Sequence, residues 1–294
     1  MILRFRKMPL VEGFLKLRVI VLVLAMAVSV PIVSADTSAA HLARGESLFA
    51  KHDLDGAIAE YRQAVRLRPR SSKAHYELGF ALKAKGDLDG AISEYREAIR
   101  FEPMLAEAHV NIGSALQMKG DVDGAITEYR EAIRLKPELD MAHANLGSAL
   151  RIKRDLTGSI AELNEALRIN PSLAQAHKDL GFDFGLNRDM DGAIRELREA
   201  LRLDPSLGDA HSGLGDALRV KGKLDEAILE YREAVRLDPQ DAFAHYNLSG
   251  ALEAKGNREE AKQELAEAVR LNPKLKLPSP RSRRRQPPLP VPQN

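Results

Sequence analysis

The 294-residue chain contains no cysteine and no tryptophan, and only 5% of its residues are aromatic. Without cysteine there are no disulfides, thiolate metal sites, cysteine nucleophiles or lipid attachment through a lipobox, and neither a reducing nor an oxidising compartment is favoured. The longest apolar run, Val19–Val33, is 15 residues, short of the roughly 20 that cross a bilayer comfortably. Charge is abundant but nearly balanced, with 44 Lys and Arg against 42 Asp and Glu. That balance is unevenly spread. The leader 1–35 carries +4 and residues 274–294 carry +6, so the +2 of the whole chain leaves −8 on 36–273. An acidic central region is a poor candidate for nucleic-acid binding.

What is present is a period. Pro69, Pro103, Pro137, Pro171, Pro205, Pro239 and Pro273 lie 34 residues apart without a slip, the mark of a stacked repeat array. Counting back 31 residues gives seven copies, at 38–71, 72–105, 106–139, 140–173, 174–207, 208–241 and 242–275. Within the third copy, Ala108, Ile112, Ala115 and Leu116 follow the spacing of one apolar helix face. Lys119–Gly120–Asp121 breaks that helix, a second apolar face runs from Ala125 to Leu135, and Pro137 stops it. Each copy is therefore a pair of helices of about 14 residues each.

With positions numbered 1 to 34 in each copy, position 8 is glycine in six copies and Ser249 in the seventh. Position 20 is alanine in six copies and Ser159 in the fourth. Small residues there predict close approach of the two backbones. One pair cannot bury its apolar face alone, so stability comes from stacking. The ends agree: Arg44 replaces the apolar residue of position 7 in the first copy, and Lys262 replaces isoleucine at position 21 in the last.

Ile112, Gly113, Ala125, Tyr129, Ala132 and Pro137, at positions 7, 8, 20, 24, 27 and 32, resemble the tetratricopeptide repeat (TPR) family, and the resemblance covers 38–275. It implies an all-α fold, a right-handed superhelical solenoid of antiparallel helix pairs whose first helices line a concave side. Histidine stands at position 4, where the family often has tryptophan. Arg154 and Arg188 replace the turn glycine, and Leu163 and Leu197 the tyrosine, in copies four and five.

Several constellations have a plainer reading. Histidine recurs at position 4 as His41, His75, His109, His143, His177, His211 and His245. Equivalent positions in stacked helices lie about 8–10 Å apart, too far to share a metal at about 2.0–2.1 Å, so the ladder is read as packing. The Asp-x-Asp-Gly turns resemble calcium loops only superficially. In the closest, Asn187–Gly192, the twelfth position is Arg198 rather than glutamate, and helix capping accounts for the acids. No metal, cofactor or catalytic set is expected, and the chain is read as a non-enzymatic interaction protein. Glu and Arg three apart on the second helices, from Glu97/Arg100 to Glu267/Arg270, predict a solvated, ion-paired outer face.

The positions that line the concave side in the resembled family carry Tyr76, Phe80, Phe182 and Tyr246. They also carry Asn111, Asn145 and Asn247 at position 6, with Asp179 there in copy five beside Lys178, and Ser114 and Ser148 at position 9. An asparagine amide both donates to and accepts from a peptide backbone, so this set predicts a groove for an extended peptide centred on copies two to five. The lysine–asparagine pairing of a dicarboxylate clamp is not present in that arrangement.

Residues 1–35 have a basic start (Arg4, Arg6, Lys7, Lys16, Arg18), the apolar run and the small residues Val33-Ser34-Ala35. This is read as a secretory signal peptide, with an uncleaved membrane anchor as the alternative. The expected location is the periplasm or cell envelope, or outside the cell. Residues 276–294, rich in proline and arginine, are read as an extended or disordered tail. The leading expectation is an exported scaffold that binds an extended peptide or partner protein. The second, prompted by the lack of a capping helix after the last copy, is a self-associating component of an envelope assembly.

Overall fold

The computed structural model describes residues 37–275; the leader and the tail from 276 to 294 lie outside them. All regular structure among the described residues is helical. The chain divides after Pro103 into two units. The first holds α1 (Ser38–Ala50), α2 (Leu54–Leu67), α3 (Ser72–Lys85) and α4 (Leu88–Phe101). The second holds α5 (Ala106–Met118), α6 (Val122–Leu135), α7 (Asp140–Ile152), α8 (Leu156–Ile169), α9 (Ala174–Leu186), α10 (Met190–Leu203), α11 (Gly208–Val220), α12 (Leu224–Leu237), α13 (Ala242–Lys255) and α14 (Arg258–Leu271).

Every hairpin turns the same way. The residue at position 15 takes a left-handed backbone in all seven, whether it is Gly86, Gly120, Gly222 and Gly256 or His52, Arg154 and Arg188. In the first five the aspartate that follows caps the second helix: Asp53, Asp87, Asp121, Asp155 and Asp189 accept from the backbone N–H three residues on, whereas Lys223 and Asn257 make no side-chain cap in the last two. At the far end the residue before each proline leaves helical geometry, as Lys136 does with ψ 88, as proline requires of its predecessor. Two predictions arise here. Arg188→Gly relieves a left-handed arginine, raising stability by about 0.5–1 kcal/mol after glycine's extra unfolded-state entropy is subtracted. Asp121→Ala removes a cap and lowers stability by about 1 kcal/mol. Urea unfolding midpoints check both.

Small residues do set the distance between the helices of a pair. A Cβ on Gly113 would meet the Tyr129 ring at 2.6 Å, and one on Gly215 the Tyr231 ring at 2.7 Å. In the divergent copies Leu163 and Leu197 fill the same space against Gly147 and Gly181 and are as deeply buried as the tyrosines. The substitution of tyrosine therefore leaves the pairing intact. Ala125 and its equivalents at position 20 are buried, as is Ser159. The next pair covers the remaining apolar face, so that Ala125, Ile126 and Tyr129 of one pair form one cluster with Leu146, Ala149 and Leu150 of the next.

The histidines do more than pack. In every copy Nδ1 lies 2.5–2.8 Å from a glutamate Oε2 on the second helix of the same pair, from His41–Glu60 to His245–Glu264. In five copies Nε2 also lies 2.9–3.3 Å from the carbonyl oxygen of the proline six residues earlier. That proline ends the preceding pair, so each ring ties two pairs together. A carbonyl can only accept, so Nε2 is the donor in these five rings. For His177 the Glu196 carboxylate outweighs burial, helped by the Pro171 carbonyl and Glu199, and the pKa is raised. For His211 burial opposes the charge, but Glu230, the Pro205 carbonyl and Glu233 together prevail and raise it.

The expected ion pairs are present on all six second helices from α4 to α14, Glu131–Arg134 at 2.6 Å among them. A second set links neighbouring pairs at the hairpin edge: Lys85–Asp55, Lys153–Asp123 at 2.9 Å, Lys221–Asp191 at 2.9 Å and Lys255–Asp225. Each exposed pair contributes little on its own.

Candidate functional site

Within each unit, first helices of neighbouring pairs touch one another, α1 with α3, and α5, α7, α9, α11 and α13 in succession. Among the described residues, no two second helices approach comparably. Pairs that crowd on one side and spread on the other curve, so within each unit the first helices hold the inner side.

In the first unit the inner side carries an aromatic group. Phe80 lies 5.3 Å from Phe49, the rings tilted by 46°, and is exposed, with the Lys83 ammonium 5.6 Å over its ring. Tyr76 lies 5.6 Å from Tyr95. Burial lowers the Lys83 pKa.

In the second unit Asn111, Asn145, Ser114, Ser148, Tyr246 and Asn247 are all half-buried on first helices. The Asn111 amide donates to its own helix at Glu107 O, 3.0 Å away. Lys178, Asp179 and Phe182 occupy the same face but are committed between helices. Lys178 is buried, with Nζ 2.5 Å from Asp209 Oδ2 on α11 and 5.9 Å from the Phe182 ring. Asp179 is buried and accepts from Arg151 Nη2 on α7 at 3.0 Å. Phe182 leans on α11 at Gly213, where a Cβ would meet its ring at 2.3 Å. These three therefore fasten α9 to α7 and α11.

Sequence reasoning missed the centre of this arrangement. Asp183 is fully buried at position 10, where most other copies have alanine. Its Oδ2 accepts from Ser159, the one serine at position 20, and Oδ1 faces Arg151 Nε at 3.8 Å. Burial drives its pKa up to about 6, against the pull of Ser159 and Arg151. The signal was available: Ser159 breaks a column otherwise of alanine, and Asp183 one otherwise of alanine and a single serine. A similar element is Asp216, which accepts from Tyr231 Oη at 2.7 Å and is pushed up by burial.

The comparisons agree with this architecture. The profile described as TPR repeat matches residues 45–86, 81–120, 118–151 and 215–256, more than half of the chain, and the tetratricopeptide repeat profile matches 244–275. The chain belongs to the tetratricopeptide repeat family. The unmatched stretch 152–214 holds most of the fourth copy and all of the fifth, with Ser159 and Asp183. Among solved structures, MamA is 27% identical with a TM-score of 0.50, the match covering 55% of this chain and 95% of MamA. TTC0263, a thermophilic TPR protein of Thermus thermophilus, is 25% identical with a TM-score of 0.51, covering 62% of this chain and all of its own. YrrB, described as a TPR protein with an unusual peptide-binding site, is 24% identical with a TM-score of 0.52, covering 62% and 93%; at that identity the likeness is one of fold. No curated protein sequence gives a significant match.

Proposed function

We propose that this chain is an exported, non-enzymatic interaction scaffold that holds an extended peptide or partner protein along the inner side of its first helices. The observation that carries the reading is the row of half-buried Asn111, Ser114, Asn145 and Ser148 on the two adjacent helices α5 and α7. Amides and hydroxyls at that depth offer donors and acceptors to a backbone, and the short side chains leave it room. Membership of the TPR family supports a protein partner, and the aromatic group around Phe80 offers an apolar anchor in the first unit. Export rests on the leader. Its test is the mass of the mature protein, which should begin at Asp36.

The groove is tested with a peptide selected on the full chain from a random display library. Asn111→Ala with Asn145→Ala should weaken its binding by roughly tenfold, about one to two hydrogen bonds of net value, with helicity unchanged. Equal affinity for the parent and the double variant contradicts the reading.

A further inference from the structure

Position 13 is the last residue of α5, α7, α9 and α11, four consecutive first helices of the second unit, and is a large apolar residue in each. Met118, Ile152, Leu186 and Val220 are 62%, 53%, 44% and 60% exposed. They form a ridge at the edge of the inner side, with steps of roughly 8–10 Å set by helix packing. Its apolar area is on the order of 400 Å², the size at which a patch on a monomer is often functional. Two ridges face to face would bury roughly 800 Å², below the ~1,200 Å² of a stable interface, which argues against a second copy as occupant. The hairpin-edge lysines alongside are neutralised, Lys153 by Asp123 and Lys221 by Asp191, each at 2.9 Å, so the ridge suits an uncharged, apolar segment whose side chains return every ~9 Å.

We propose that the segment Pro287–Pro292 (PPLPVP) of this same chain docks on the Leu186–Val220 end of that ridge. A polyproline helix has three residues per turn and a rise of about 3.1 Å per residue, and so repeats every ~9.3 Å. The pairs Pro288/Val291 and Leu289/Pro292 match that interval, and the segment carries no charge. Residues 276–286, between the last described residue and the segment, reach up to ~36–40 Å when extended, against steps of roughly 8–10 Å for each of the two pairs back to Leu186. The ridge residues are not those of the groove reading, and the two stand or fall separately.

The absence of cysteine makes disulfide trapping in the full chain a clean test. Leu289→Cys is combined in turn with Leu186→Cys, Val220→Cys or Leu229→Cys, the last being an equally exposed leucine on the second helix α12. Under mild oxidation at low protein concentration, the ridge pairs should close within one chain at least roughly tenfold faster than the Leu229 pair, from the higher effective concentration. Pro288→Ser with Pro290→Ser should erase the difference. Equal rates at all three sites, or cross-links only between chains, overturn the proposal; the Leu229 pair reports reach alone, so neither result depends on whether a partner peptide binds the groove.

Discussion

The array should lose stability as pH rises from about 4.5 to 8, the reverse of what its many ion-paired carboxylates suggest. Asp183 acts at the acid end of this range. Its folded pKa of about 6 lies above the unfolded value near 3.9, so the folded chain holds a proton that the unfolded chain releases, and stability declines between the two values. At about 1.4 kcal/mol per pH unit the decline reaches up to about 3 kcal/mol. His177 and His211 act in the same direction at higher pH. Their raised pKa values add stability that is fully present below the unfolded histidine value and disappears as pH rises through the folded one. The surface glutamates with lowered pKa, such as Glu131 and Glu199, lose their bridges only as pH falls into the acid range, so the maximum lies in mildly acid solution. Ser159→Ala with Asp183→Ala restores the alanines found in most other copies. It should flatten the decline between pH 4 and 6 and raise stability at pH 7 by up to about 3 kcal/mol, as read from urea midpoints across pH. A double variant with the parent's slope would show that Asp183 is charged at little cost.

The second large effect is overpacking. Ala125 is fully buried between the helices of its pair and the next, so Ala125→Leu forces the two apart and lowers stability by roughly 1–3 kcal/mol. Gly113→Ala is the sharper companion. Alanine gains about 1 kcal/mol over glycine in a helix, but here the methyl meets a fully buried tyrosine ring at 2.6 Å, and the collision should reverse the usual sign. Amide exchange of α5, α6 and their neighbours, compared with the distant α14, locates the loss.

The repeating frame was legible because it depends on residue size and backbone geometry at fixed positions. Prolines ended helices, aspartates capped them, and Gly113 or Ala125 declared close approach. Arg154 and Arg188 show the limit of identity-based reading: the left-handed turn persists without glycine, held by the hairpin on either side. The histidine ladder was visible as a column, but its partners, Glu60 to Glu264, lie 19 residues away on a face the helical pattern assigns to solvent. Lys178 and Asp179 fell on the inner face as expected, yet the period cannot tell that Asp209 and Arg151 on adjoining helices will draw them inward. The ridge of Met118, Ile152, Leu186 and Val220 was hidden because each residue, taken alone, reads as the end of an apolar face.

Hydrogen exchange of the full chain with and without a selected peptide bears most directly on the central claim, that the inner side of the first helices is where a partner lies. Binding should slow exchange along α5, α7 and their neighbouring first helices while leaving α6, α8 and α10 unchanged. Protection confined to those second helices would contradict it.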